Sequence, residues 1–339
     1  MKKYLLPDFK QYKANLHTHT NVSDGRHSPE EVKDFYKSHG YCIVAFTDHD
    51  MLVDHSYLSD KDFLAITGYE YGIDESGKEW KFTKTCHICF LSKDPHNVTH
   101  VAFNPKRTMR YSKDFYKTAK YHGELFEGSY SVENLNFILS EGKKHGFFVT
   151  VNHPWWSLME VEELYQLENF DGMEVFNTAS TQGDSYYELN FYLYDLMLRK
   201  GKMVLPIAAD DMHGLKPENE WQTQALGGFN MISAPSLDYS DVMSALEKGD
   251  FYASTGPIIK SIYAENGEIV IECEPAKAIY FRTASRRGFF AHNADKSPIT
   301  KASFPMVEDD IFVYASVRGF EGDWAYTRAY NAKEILENS

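Results

Sequence analysis

The apolar runs of this chain end in ionisable side chains. ANLHTHTNVSDG carries His17, His19 and Asp24, and AFTDHD carries His49. ITGYE ends in Glu70, KTCHICF holds His87, VTVNHP holds His153, and IAADDMHG holds Asp211 and His213. Imidazoles and carboxylates at the ends of buried strands are expensive unless something compensates them. Divalent metal ions would do so, and the fold must then bring these distant segments to one place.

Residues 1–257 alternate between strand-like and helix-like patterns. YKANLHTHT, CIVAFTDH, FLAITGYE, HICFLS, FFVTVNHP, GMEVFN, MVLPIAADD and LGGFNMISA read as strands. CIVAFTDH is apolar throughout, as a strand covered on both faces should be. Between several of them lie helical patterns. SPEEVKDFYKSHG has Ser28 as cap, Pro29 in the first turn, Glu31 completing a capping box and Gly40 at its end. SVENLNFILSEGKKHG, SLMEVEELYQLENF, YYELNFYLYDLMLRKG and YSDVMSALEKGD are the others. The alternation predicts an α/β fold with a parallel sheet, and about seven such units predict a closed or nearly closed barrel. Residues 93–130 break the pattern and read as an insertion, either a lid or substrate loop or a structural cap. After FYASTGP, residues 258–339 carry short alternating strands with an Asn266-Gly267 turn, which predicts a small antiparallel β-domain or sandwich.

The 339 residues suffice for one large domain and a smaller one, and 43% are hydrophobic. A formal charge of −14 argues against a long nucleic acid as partner, since such a surface needs a basic face. It leaves room for a small phosphorylated substrate, because bound metals reverse the local charge. No apolar stretch reaches membrane-spanning length. The N-terminus does not read as a signal peptide, and Cys42, Cys86, Cys89 and Cys273 read as free thiols of a reducing cytoplasm. The sequence carries no signal of oligomeric state.

The spacing sharpens the metal reading. His17 and His19 lie two apart, so an extended strand turns both to one side, and Asp211 and His213 repeat the arrangement. Six of the fourteen histidines and three carboxylates fall on one expected face. This donor mixture suits manganese, iron or zinc rather than calcium. Nine ligands exceed one ion's need, whereas two or three ions with Glu70 bridging would use them all. A water held between two ions would lose its proton near neutral pH and act as nucleophile. Asp48, Asp50 and Asp210 are candidates for orienting ligand imidazoles from behind. Arg110, His55, His122 and Trp155 are candidate substrate contacts. Trp156 is a second candidate wall, and Arg286 and Arg287 would reach an anionic substrate only if the tail folded over the site.

The ordered motifs HTHT, SDG, TDHD, GYE, CH, NHP and DDMH, spread from Tyr12 to Pro257, resemble the PHP (polymerase and histidinol phosphatase) family. The resemblance implies a distorted seven-stranded TIM-like barrel holding up to three metals. It implies one ion at His17, His19, Glu70 and Asp211, a second at Glu70, His87 and His153, and a third at Asp24, His49 and His213. The Asp-x-His spacing selects Asp211 over Asp210. The β-rich tail resembles a longer subgroup, so phosphoester hydrolysis is implied and the histidinol phosphate substrate is not. Hydrolysis of a carboxylic or carbamate ester on the same cluster is one alternative. A carbohydrate- or protein-binding module without activity is another.

Overall fold

The computed structural model describes residues 2–106, 115–183, 190–215 and 224–337. Seven strands carry or flank the candidate site: β1 (Lys10–Asn15), β2 (Ile43–Phe46), β3 (Leu64–Asp74), β4 (Thr85–Ser92), β5 (Phe147–Asn152), β6 (Gly172–Asn177) and β7 (Leu205–Ala209). They pair in the order β7-β6-β5-β4-β3-β2-β1. The sheet continues from β1 into β8 (Phe229–Ala234) and β9 (Phe251–Ser254). These two are antiparallel additions rather than further strands of a parallel barrel.

The observed α/β sheet differs from a closed, all-parallel form of the expected distorted, closed or nearly closed TIM-like barrel in two respects. First, β4 runs antiparallel to both β3 and β5. β3 returns directly through residues 75–84 as a hairpin, so no helix crosses over between them. Second, the ladder is open between β7 and β1. The physical reason is that both edges of β1 are taken, one by β2 and the other by β8. Only past Asn15 is the chain free to meet the end of β7. There a single parallel bridge joins Thr18 to Met212, with Asp211 N–H donating to His17 C=O at 2.9 Å and His19 N–H to Met212 C=O at 2.9 Å. Lower down, the Asn230 side chain spans the gap, donating to Ala208 C=O at 2.7 Å and accepting from Ala208 N–H at 3.2 Å.

The helices are few: α1 (Pro29–Ser38), α2 (Val132–Lys144), α3 (Val161–Gln166), α4 (Asn190–Arg199) and α5 (Tyr239–Lys248) are the longest among the described residues. Helix α1 begins with the capping box its sequence predicts, Ser28 Oγ accepting from Glu31 N–H and Glu31 accepting from Ser28 N–H. None of the described helices is long and apolar enough to cross a membrane. In the 93–130 segment, Val101, Ala102 and Phe126 pack on the main core.

Beyond Pro257, a four-stranded sheet holds Lys3–Tyr4, β10 (Ile259–Glu265), β11 (Glu268–Ala276) and β14 (Ile299–Pro305). The large sheet takes up β12 (Ala278–Thr283), β13 (Gly288–Ala291), β15 (Phe312–Arg318) and β16 (Trp324–Thr327), with β9 pairing β16. Alternate residues such as Ile262, Ile271, Phe281 and Val313 fill the layer between the two sheets. Helix α4 closes the other face, where Tyr314 Oη donates to Asp195 at 2.7 Å.

Replacing Asn230 with Ala would strand both main-chain polar groups of buried Ala208. The expected cost is about 2–3 kcal/mol of stability, read as a lower urea midpoint at unchanged slope.

Candidate metal centre

Glu70 is the centre of the site. It lies within β3, fully buried, and its two oxygens are approached by five imidazoles. Oε1 lies 3.1 Å from His87 Nδ1, 3.2 Å from His17 Nε2 and 3.4 Å from His153 Nε2. Oε2 lies 3.0 Å from His49 Nδ1 and 3.4 Å from His19 Nε2. Asp211 is the second shared acid, its Oδ1 standing 2.9 Å from His19 Nε2 and 3.3 Å from His17 Nε2. Asp24 is the third, 3.4 Å from His213 Nε2, 3.8 Å from His49 Nε2 and 3.9 Å from His19 Nδ1. All nine expected ligands are therefore brought together.

The local folding explains each position. His17, His49 and Asp211 follow the ends of β1, β2 and β7. His87 comes instead from the start of β4, because the hairpin reverses that strand. His87 faces Gly72 across the ladder, and a Cβ at Gly72 would sit 3.4 Å from the imidazole Nε2. The SDG loop folds so tightly over His19 that a Cβ at Gly25 would lie 2.6 Å from the His19 carbonyl carbon. His153 and Asp211 have positive φ, 26° and 53°. Such backbone costs on the order of 1–3 kcal/mol in a non-glycine residue and gathers at functional sites.

Three donor groups converge with their atoms within 4.8 Å of one another: His17, His19, Glu70 and Asp211; His49, Glu70 and His87; and His19, Asp24, His49 and His213. The division implied by the resemblance differs slightly, since His49 rather than His153 joins Glu70 and His87 here. His19 Nδ1, Glu70 Oε2 and Asp211 Oδ1 are buried and make no hydrogen bond. These three atoms thus lie among close polar neighbours without a hydrogen bond of their own, which is the arrangement of donors aimed at a common cation.

Charge follows the same geometry. Burial disfavours the charged form of His17, but Asp211, Cys89, Glu70 and Glu174 outweigh it and hold its pKa well above the usual imidazole value. For His19, burial is likewise outweighed by Asp211 and Glu70, and the pKa rises to about 10. Burial would raise Glu70 and Asp211, yet the surrounding imidazoles hold both well below the carboxylate range. His213 goes the other way, lowered to about 4 by burial and by His19.

Several expected roles are corrected. Asp48 touches no ligand imidazole. Its carboxylate takes Thr20 N–H at 2.7 Å, Ser23 N–H at 3.1 Å, Ser23 Oγ at 2.8 Å and Thr20 Oγ1 at 2.8 Å, so it shapes the loop that presents Asp24. Asp210 is saturated by Thr178 Oγ1, Tyr36 Oη and the N–H groups of Leu226, Gly227 and Gly228, and is turned away from the ligands. His55 is buried against Phe46, with both ring nitrogens lacking hydrogen bonds. His122 stacks on His145 at 3.6 Å, outside the site. Trp155 is exposed, and Trp156 takes the position expected of it, 5.0 Å from His153 and 5.6 Å from His87 between ring centres. Arg287 pairs with Asp310 and packs on Phe304, within the tail. Arg110 lies outside the described residues.

Sequence reasoning missed Glu174, a buried acid of β6. It accepts from His17 Nδ1 at 2.8 Å, His153 N–H at 2.9 Å and Asn177 Nδ2 at 2.8 Å. A charge inside GMEVFN is the same signal that marks Glu70. Asn152 was missed as well; it donates to Glu70 Oε1 at 3.1 Å.

The ligands open into a cavity of about 930 Å³. Asp24, His49, His87, His153, Asp211 and His213 line it, together with Asp50, Asp74, Trp80, Lys81 and Trp156. No described residue of the 93–130 segment lines it.

No protein-family model matches the chain, and no curated protein matches it in sequence. Solved structures do. A two-domain protein from Bacteroides vulgatus containing a predicted PHP-like metal-dependent phosphoesterase covers 97% of this chain and 98% of its own, at 15% identity and TM-score 0.44. A protein of Bifidobacterium adolescentis with the provisional description metal-dependent phosphoesterase covers 62% and 92%, at 17% identity and TM-score 0.42. An amidohydrolase from Chromobacterium violaceum, with bound sulfate and no metal, covers 70% and 96%, at 14% identity and TM-score 0.40. Two of these structural neighbours are thus described as metal-dependent phosphoesterases.

Two outcomes are expected. Glu174→Gln keeps the fold but weakens metal binding about 10–100-fold, as loss of a partner behind a ligand imidazole does, measured by titration against a metallochromic competitor. At neutral pH, His19 holds a proton that an ion must displace. Metal uptake should therefore release protons, and apparent affinity should rise about tenfold per pH unit for each proton displaced, read by calorimetry in buffers of different ionisation enthalpy.

Proposed function

We propose that the protein is a metal-dependent hydrolase, a phosphoesterase acting on a small phosphorylated molecule such as a phosphomonoester or short nucleotide. The observation that carries the reading is the convergence of five imidazoles on the two oxygens of buried Glu70. The donor set fits a cation cluster, because buried Glu70 Oε2, Asp211 Oδ1 and His19 Nδ1 are otherwise without hydrogen bonds. His17, His19, Asp24, His49, Glu70, His87, His153, Asp211 and His213 would hold two or three ions of manganese, iron or zinc, and Glu70 would be shared among them. Such ions, when bound, lower the pKa of a coordinated water and offset charge on phosphoryl oxygens.

The protein's own groups set up the rest. Glu174 fixes His17 and His153 in place through His17 Nδ1 and the His153 N–H. Asn152 orients Glu70 through its side-chain amide. Asp48 holds the loop of Asp24. These groups keep the donors prearranged, so little reorganisation is required as charge develops. Asp24 and Asp211 line the cavity, so the donors they present face the space a substrate would enter.

A carboxylic or carbamate ester is the second reading. Asp24, Asp50, Asp74 and Asp211 line the cavity, and Lys81 is the one cation among its described lining residues, which favours substrates of low negative charge.

A panel of phosphate and carboxyl esters, assayed with manganese, iron and zinc, separates the two. Metal-dependent phosphate release is expected, abolished by chelation and lowered more than about 100-fold by His17→Ala, since even outer partners of ligands cost 10–100-fold. Inertness toward every phosphate ester would reject the first reading.

A further inference from the structure

The rim of the cavity carries an unusual side chain. Trp80 lines the cavity while remaining 82% exposed, which puts it at the open side. Phe82, two residues on, is 63% exposed. Large exposed apolar groups grouped beside a polar site mark a place where something docks.

This exposure does not come from a loose loop. Residues 75–84 are closed by Glu75 N–H donating to Lys84 C=O at 2.9 Å and Lys84 N–H donating to Glu75 Oε2 at 3.2 Å. Thr83 Oγ1 donates to Glu79 C=O at 3.0 Å across the turn that bears Trp80. The base of the hairpin is tied to the opposite wall. Lys84 Nζ reaches Glu160 at 2.8 Å and Glu163 at 3.0 Å, and Thr85 N–H donates to Ser157 C=O at 3.1 Å. Ser157 directly follows Trp156, whose indole stands beside the ligand imidazoles of His87 and His153. A tryptophan beside the ligands and another at the mouth are thus held on connected supports around one cavity.

Building on the hydrolase reading, we propose that this cavity selects esters whose leaving group is a planar ring, and that Trp80 is the specificity-determining residue that stacks on it. A ring seated this way presents its head group to the cation cluster and its apolar face to the indole. Stacking of a ring on an aromatic side chain contributes about 1–3 kcal/mol, and it demands no charge from a wall that has little positive charge to offer.

The test uses phenylphosphonate and methylphosphonate, which share a head group and carry a C–P bond that hydrolysis leaves intact. Binding to the manganese-reconstituted protein is measured by calorimetry. The wild type should prefer the phenyl compound at least about tenfold. Trp80→Ala should reduce that ratio below about threefold, and Trp80→Phe should retain most of it. Equal binding of the two compounds, binding of neither, or a preference unchanged in Trp80→Ala would overturn the proposal. Because binding is read without turnover, a protein that showed the preference yet hydrolysed no phosphate ester would sink the phosphoesterase reading and leave ring selection standing.

Discussion

Everything about this site depends on one buried carboxylate. Glu70 sits inside a strand with no exposure, where an isolated charge would be strongly disfavoured. Five imidazoles from four separate segments surround it. Each segment is a strand end or a turn beside one, so the strands fix how the imidazoles meet. In the absence of cations, protons on His17 and His19 balance Glu70 and Asp211. His19 also packs ring to ring with His213 and His49, at 4.2 Å and 4.3 Å between ring centres. Divalent ions bound here would neutralise the acids and take the nitrogen lone pairs. The folded state would then gain stability from the bound ion by mass action.

The supports around the ligands are polar and saturated. Asp48 and Asp210 illustrate why the residue beside a ligand need not touch it. Each lies next to a ligand in sequence, and each points backward into a web of N–H and hydroxyl donors. Asp210 gathers Tyr36 of α1, Thr178 after β6 and three consecutive amides at 226–228. It thereby ties together the loops at the seam where β7 and β1 fail to form a ladder. Its neighbour Asp211 then turns the other way through a left-handed backbone, so adjacent acids serve opposite sides of the same seam.

Much of the site was legible because burying charge is costly. His17, His49, Glu70, His153 and Asp211 stood out as polar groups at the ends of apolar runs, and they meet. The same rule points to Glu174, the one charge inside GMEVFN, which the sequence reading took only as a strand. Less legible was what depends on side-chain direction. Trp155 and Trp156 are neighbours of equal chemistry, and only the turn after His153 decides which faces the ligands. His55 and His122 had the right chemistry and the wrong side of the backbone. The reversal of β4 was hidden for another reason: an apolar run looks alike in either direction, and a hairpin loop with one glycine in residues 75–84 reads as any surface loop. The open seam was hidden as well, since whether β8 or β7 takes the free edge of β1 is a tertiary competition.

That reversed strand has a functional consequence. A crossover helix between β3 and β4 would have left a long connection on the outside of the sheet. The hairpin instead extends both strands past the ligands, to Asp74 on one side and Thr85 on the other, and carries its turn out over the cavity. Glu70 and His87 thus lie on the two arms of the element that ends in Trp80. Trp80 lines the same cavity as His87, so the element that supplies the shared acid also carries the side chain proposed to grip the leaving group.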